Sequence, residues 1–173
     1  MREEIINRVA NSKLKNFDLE DYYVAGPRTE IDISQWLMEG LVLMETRFRE
    51  SVKNTDFTVY KNHHVALNCS TDAIVPPWAW MLLQSQLTGI AETVVLGTLE
   101  DLETHLYRNV MAHIDLSSYK DLPVIVKGCS KKPVPVAAYL MITEKLQGIA
   151  SSVMYGEACS SVPVYKKGRY GAS

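Results

Sequence analysis

The sequence predicts an α/β protein: a mostly parallel sheet of about five strands with helices on both faces, built from an internal duplication of about 60 residues. Three observations predict it. Short apolar runs rich in β-branched residues alternate with stretches of helical periodicity, and strands separated by helices run parallel. The chain also matches itself at an offset of 59 or 60 residues. Asp56–Leu67 aligns without gaps on Asp115–Val126, and both run on into Cys-Ser, at Cys69-Ser70 and Cys129-Ser130. Each copy then has Val-Pro (Val75-Pro76, Val134-Pro135), and Thr88–Gly97 matches Gln147–Gly156. The third observation is punctuation: Gly89 and Gly148 stand where a helix C-cap is expected, just before an apolar run.

The elements follow in order. Glu3–Val9 reads as a short helix, Gly26-Pro27 as a turn, Arg28–Ile33 as an edge strand, and Ser34–Met38 with Trp36 as a packed helical turn. Core strands are expected near Leu41–Leu43, Val65–Asn68, Val94–Leu96, Val124–Lys127 and Val153–Tyr155. Met44, Phe48 and Val52 mark the apolar face of one helix; Leu99, Leu102, Leu106 and Val110 mark another, opened by a Thr98/Asp101 capping box. Trp78, Met81, Leu82 and Ser85 recur at helical spacing, and Val136–Leu146 is apolar on nearly every face. One domain is expected over 1–173: an N-terminal extension (1–40), repeat one (41–97) and repeat two (94–160), sharing the middle strand.

Composition narrows the function classes. At 173 residues and 47% hydrophobic, the chain can bury a core without staples. Eighteen basic against twenty acidic side chains give no field to collect nucleic acid or an anionic membrane. No apolar run approaches the roughly 20 residues that span a bilayer. The start, Met1-Arg2-Glu3-Glu4, is acidic where an export signal is basic, so a cytoplasmic location is expected. Cytosolic thiols stay reduced, so the three cysteines read as ligands, reactive groups or filler.

Cys69 and Cys129 occupy equivalent positions, each after an expected strand and before an expected helix; Cys159 follows the last expected strand. All three belong at carboxyl ends of strands, the edge where open α/β sheets place their sites. Helix N-termini behind two of them, and Lys127, Lys131 and Lys132 around Cys129, would favour thiolate, which iron, zinc and iron–sulfur clusters bind. Glu100 is the repeat partner of Cys159, and a fourth ligand could be Glu100, Asp72, Glu157, a serine oxygen or water. His63, His64 and His113 precede strands and belong at the opposite edge. The plain alternative is inherited turn chemistry, with serine capping the helix and cysteine packing beneath it. Other chemistries fail on residue type: no arginine follows either Cys-Ser to hold phosphate, and no glycine-rich phosphate loop follows a strand.

Several stretches carry a resemblance: Ile5–Ser12, Phe17-Asp18-Leu19-Glu20-Asp21-Tyr22-Tyr23, Trp36-Leu37, Cys69 through Trp78, Lys127-Gly128-Cys129-Ser130, and Gly156 through Tyr165. Over essentially its whole length the chain resembles the bacterial domain-of-unknown-function family number 2480. That resemblance implies no activity; its association with iron–sulfur assembly genes implies iron–sulfur assembly proteins as partners. Three functional expectations result. The first is an accessory protein holding a transition metal (iron or zinc) or an iron–sulfur cluster on Cys69, Cys129, Cys159 and Glu100. The second is a thiol redox or nucleophilic enzyme centred on Cys129. The third is a scaffold or homo-oligomer subunit with structural cysteines. No nucleic-acid or membrane partner is expected.

Overall fold

Runs of Val, Ile and Leu bounded by glycine, proline or charge become strands, and the helical repeats become helices, as their periods require. The computed structural model describes residues 13–128 and 131–168; Cys129 and the expected helix Glu3–Val9 lie outside them. In chain order the described elements are β1 (Lys15–Asp18), β2 (Arg28–Asp32), α1 (Glu45–Lys53), β3 (His64–Asn68), α2 (Pro77–Leu87), β4 (Thr93–Leu96), α3 (Leu99–Ala112), β5 (Pro123–Lys127), α4 (Val136–Gln147), β6 (Ser152–Glu157) and β7 (Ser160–Lys166). Single 3-10 turns lie at Leu19–Tyr22, Ile33–Trp36, Phe57–Tyr60 and Ser117–Tyr119.

The protein is α/β, but its described strands form two sheets where the sequence led us to expect one. β2-β3-β4 is a three-stranded parallel sheet; β1-β5-β6-β7 is four-stranded, parallel except for the β6–β7 hairpin. Hydrophobic periodicity reports that a run is a strand and says nothing of its neighbour, which explains the miss. The strand expected at Leu41–Leu43 is absent; that stretch makes one isolated antiparallel bridge, Met38 to Val42, with Leu41 and Val42 about half exposed. Two strands were not foreseen. β1 has one buried residue, Phe17, too few for an alternation to show, and β7 is mostly exposed.

The chain divides into two compact units, Val24–Leu106 and Met1–Tyr23 with Tyr107–Ser173. In the first, Val65 and Leu67 of β3 face a cluster with Phe48 and Val52 of α1 and Leu83 and Leu87 of α2. Ala66, pointing the other way, meets Leu102 and Leu106 of α3, so β3 is covered on both faces. In the second, Val124 and Val126 of β5 pack with Ala138, Ile142 and Leu146 of α4 and with Tyr107 and Met111. The expected stripe on α3 was displaced: Leu99 is exposed, and Glu103, Tyr107 and Met111 are buried with Leu102 and Leu106. Each buried aliphatic side chain stabilises the fold by about 1.5–3 kcal/mol.

Matching local geometry recurs between the aligned segments. Asn62 and Asp121 both adopt positive φ, 62° and 56°. Their backbone N–H groups donate to the carbonyls of Ile90 and Ile149 respectively. Phe57–Tyr60 and Ser117–Tyr119 are both 3-10 turns, preceded by Asp56 and Asp115, whose carboxylates accept from the N–H two residues on.

Candidate functional site

At the carboxyl end of β2 and β3, Asp32 ends β2 and starts the 3-10 turn that follows it. Its Oδ1 accepts from the N–H of Ser34 (2.9 Å) and of Ser70 (3.1 Å). Its Oδ2 accepts from both serine hydroxyls, and those hydroxyls lie 3.2 Å apart. Burial alone would raise the carboxyl pKa; the hydrogen bonds from Ser70 and Ser34 outweigh it and hold Asp32 at about 2. The carboxylate thus ties the end of β2 to the Cys69-Ser70 segment after β3.

Ser70 therefore has a different task from the helix cap expected of it. α2 begins seven residues later, with Pro76 as an N-cap lacking any side-chain hydrogen bond and proline again at its start. Proline's fixed φ and missing N–H suit that position, so no serine is needed there. Cys69 packs partly buried against the Phe48/Leu83 cluster, its Sγ 3.4 Å from Thr71 Oγ1. It sits several residues from the N-terminus of α2, not against it.

Cys159 lies elsewhere in the architecture. It is exposed in the two-residue turn Ala158-Cys159 that joins β6 to β7, closed by the Glu157–Ser160 pair. Cys69 belongs to the Val24–Leu106 unit and Cys159 to the other. Glu100, aligned with Cys159 in the sequence comparison, is exposed in the first turn of α3 and so has a different local structure. Asp72 lines an open groove of about 670 Å³ beside Leu41, Ile74 and Trp78, and Glu157 is exposed at the end of β6. Among the described residues no three His, Cys, Asp or Glu side chains come close enough to hold a metal ion.

The lysines expected around Cys129 have their own contacts. Lys127 Nζ pairs with Asp18 Oδ2 at 3.4 Å, and the Lys131 backbone N–H donates to Glu20 Oε1 at 2.9 Å. Lys132 Nζ stands 5.2 Å above the Tyr23 ring. His63 and His64 lie at the amino end of β3, as the sequence placed them; His63 Nδ1 is 2.7 Å from Thr29 Oγ1, and buried His64 bridges Ala25 O and Thr93 Oγ1. The 98/101 box is formed as expected. Asp101 Oδ2 accepts from the Thr98 N–H at 2.8 Å, and Thr98 Oγ1 accepts from the Asp101 N–H at 3.3 Å. Gly97 is obligatory there: its φ is +144°, and a Cβ would lie 2.6 Å from Asp101 Oδ2.

Over residues 3–167 the sequence matches the family described as Protein of unknown function (DUF2480). The chain belongs to that family. No curated protein and no solved structure matches it. The DUF2480 description assigns no chemistry to any residue, so function has to be argued from surfaces and contacts. What sequence reasoning missed at this edge is Asp32 itself. Ile31-Asp32-Ile33 and Phe17-Asp18-Leu19 are the same apolar-Asp-apolar pattern at the end of a strand. That shared tripeptide was the available signal.

Several apolar side chains are bare on the described surface. On α4, Val136 and Leu140 are each 70% exposed; on α2, Met81 is equally so. Tyr155, Val162 and Val164 are bare on β6 and β7. Among the described residues no helix is long and apolar enough to cross a membrane.

Proposed function

We propose that this protein works as a non-catalytic assembly subunit, associating through the outer face of α4 and the β6–β7 hairpin beside it, with Cys69 a packing residue. The observation that carries the reading is the exposure of Val136, Leu140, Tyr155 and Val164 around one apolar groove. Contiguous apolar patches of this kind mark interaction surfaces. The first two turns of α4, Val136–Ile142, are wholly apolar apart from the Tyr139 hydroxyl, which fits a helix start covered on both sides in its working state. Support for a structural role of the Cys69-Ser70 segment comes from the Asp32 hydrogen bonds and from the packing of Cys69 against the α1/α2 cluster.

We infer that the two units derive from one duplicated α/β unit. The matched turns at Asn62 and Asp121, the matched 3-10 turns and the shared order of strand, helix and strand support it.

Metal or cluster binding through Cys69, Cys129, Cys159 and Glu100, with iron–sulfur assembly partners, is the competing proposal. Metal analysis of anaerobically purified protein, read together with the mass in solution, decides between them. An oligomer with negligible metal per chain supports assembly. A stoichiometric metal lost in Cys129→Ser and Cys69→Ser overturns it in favour of the thiolate site.

A further inference from the structure

The sheet of β1, β5, β6 and β7 reaches one strand beyond its covering helix. β7 pairs antiparallel with β6, and beside α4 the two strands leave a groove of about 490 Å³. Leu140 and Val136 stand on its helix wall, and Tyr155 and Val164 on its strand wall. None of the groove's residues carries a charge at neutral pH, so a strongly acidic or basic partner gains nothing there. Addition of a further strand at β7 is disfavoured as well, because Pro163 interrupts that edge strand and removes an N–H.

We propose that this face takes a second copy of the same chain, α4 lying antiparallel to α4 of the partner subunit across a two-fold axis. The proposal rests on the assembly reading above and names its partner. A two-fold interface needs one patch that complements itself. Here the ridge of Val136 and Leu140, one turn apart on α4, adjoins the groove it would enter on the other copy. Exposed Glu144 continues that ridge by one further turn.

Charge agrees with the register. With the axis passing between Val136 and Leu140, exposed Lys132, in the segment leading into α4, comes opposite Glu144 of the partner subunit. Lys132 Nζ is held by the Tyr23 ring and the Glu20 carbonyl within its own unit, so the cation is already positioned in the free chain. Half-buried Lys145 lies more than a quarter-turn round α4 from Glu144 and off the seam. The Lys132–Glu144 contact is made twice by symmetry, and opposite charges at both ends of an apolar seam fix direction and register.

Sedimentation equilibrium of the full chain tests this. Wild type is expected to be a dimer, and Leu140→Glu to weaken it by about tenfold or more, a loss usual for a buried interface anchor. Met81→Glu, an equal insult on α2, should leave the dimer as it is. Lys132→Glu and Glu144→Lys should each weaken it. The double reversal should associate more tightly than either single variant, even though both proteins carrying Lys132→Glu lack the Tyr23 contact; a merely misfolded variant cannot give that result. A dimer indifferent to Leu140→Glu, or a double reversal no better than its singles, overturns this face while leaving assembly standing. A monomeric wild type overturns both proposals. A monomer that floats with phosphatidylcholine vesicles overturns both and assigns the groove to lipid.

Discussion

The carboxyl edges of the two sheets look alike in sequence and are fastened differently. In the Val24–Leu106 unit Asp32 accepts four hydrogen bonds from Ser34 and Ser70, backbone and hydroxyl from each. In the other unit Asp18 accepts from the Glu20 N–H and pairs with Lys127, both side chains about a third exposed. Glu20 reaches across to the Lys131 N–H instead. One edge is a neutral-donor clasp around a single carboxylate, and the other spreads its charge over two acids and a lysine. The lesson is that a similar strand–turn pattern can mark where a loop is tied down, while the atoms that tie it differ.

Substitutions at the two edges sharpen that contrast. The largest effect is expected from Asp32→Ala, which removes four hydrogen bonds to one part-exposed carboxylate and should cost about 1.5–2 kcal/mol. Asp18→Ala removes a part-exposed pair and should cost under about 1 kcal/mol. Urea unfolding followed by tryptophan emission checks the first, because Trp36, Trp78 and Trp80 all lie in the Val24–Leu106 unit. Equal losses would erase the distinction.

Next comes pH. Asp32 is depressed to about 2 in the folded chain. Its contribution is therefore complete above the unfolded value of about 3.9 and disappears as pH falls through the folded one. Between those limits wild type should lose about 1–2 kcal/mol, discounted for partial exposure, that Asp32→Asn never had. Parallel acid titrations of the two proteins should show it; superimposable slopes would contradict the clasp.

A smaller effect separates Gly89 from Gly148, which align in sequence and differ in backbone. Gly89 has φ +78°, whereas Gly148 has φ −76° and ψ −14°. Gly89→Ala should cost about 1 kcal/mol, and Gly148→Ala should be neutral or stabilise by up to about 1 kcal/mol. Thermal melts of both variants settle it. Smallest of all, Cys159→Ser in the exposed turn should leave stability unchanged, and the Cys159 thiol should alkylate faster than that of packed Cys69.

Much of the fold was legible because it is written in periodicity. Val65–Asn68, Val94–Leu96, Val124–Lys127 and Val153–Tyr155 all fall inside observed strands, and the Thr98/Asp101 box opens α3. Sheet membership was not legible. It depends on β1, a four-residue strand from before the aligned region, pairing with β5 across more than a hundred residues. Leu41–Leu43 looked like a strand because it is apolar, but it sits among exposed residues that bridge only once. At the candidate site, spacing correctly put Cys69 and Cys159 just after strands. It could not show that they follow strands of different sheets, nor that the serine beside Cys69 serves a carboxylate from β2. Repeat alignment also misled at Glu100. After Gly97 the chain enters a helix, whereas after Gly156 it turns back into β7, so aligned residues there share no environment.

The apolar face of α4, noted from sequence as apolar on nearly every side, remains the feature most in need of a partner in water. The mass of the wild-type chain in solution, followed over a concentration series, tests that need most directly. A mass that settles at twice the chain's own agrees with the account. A mass that stays at one chain throughout contradicts it.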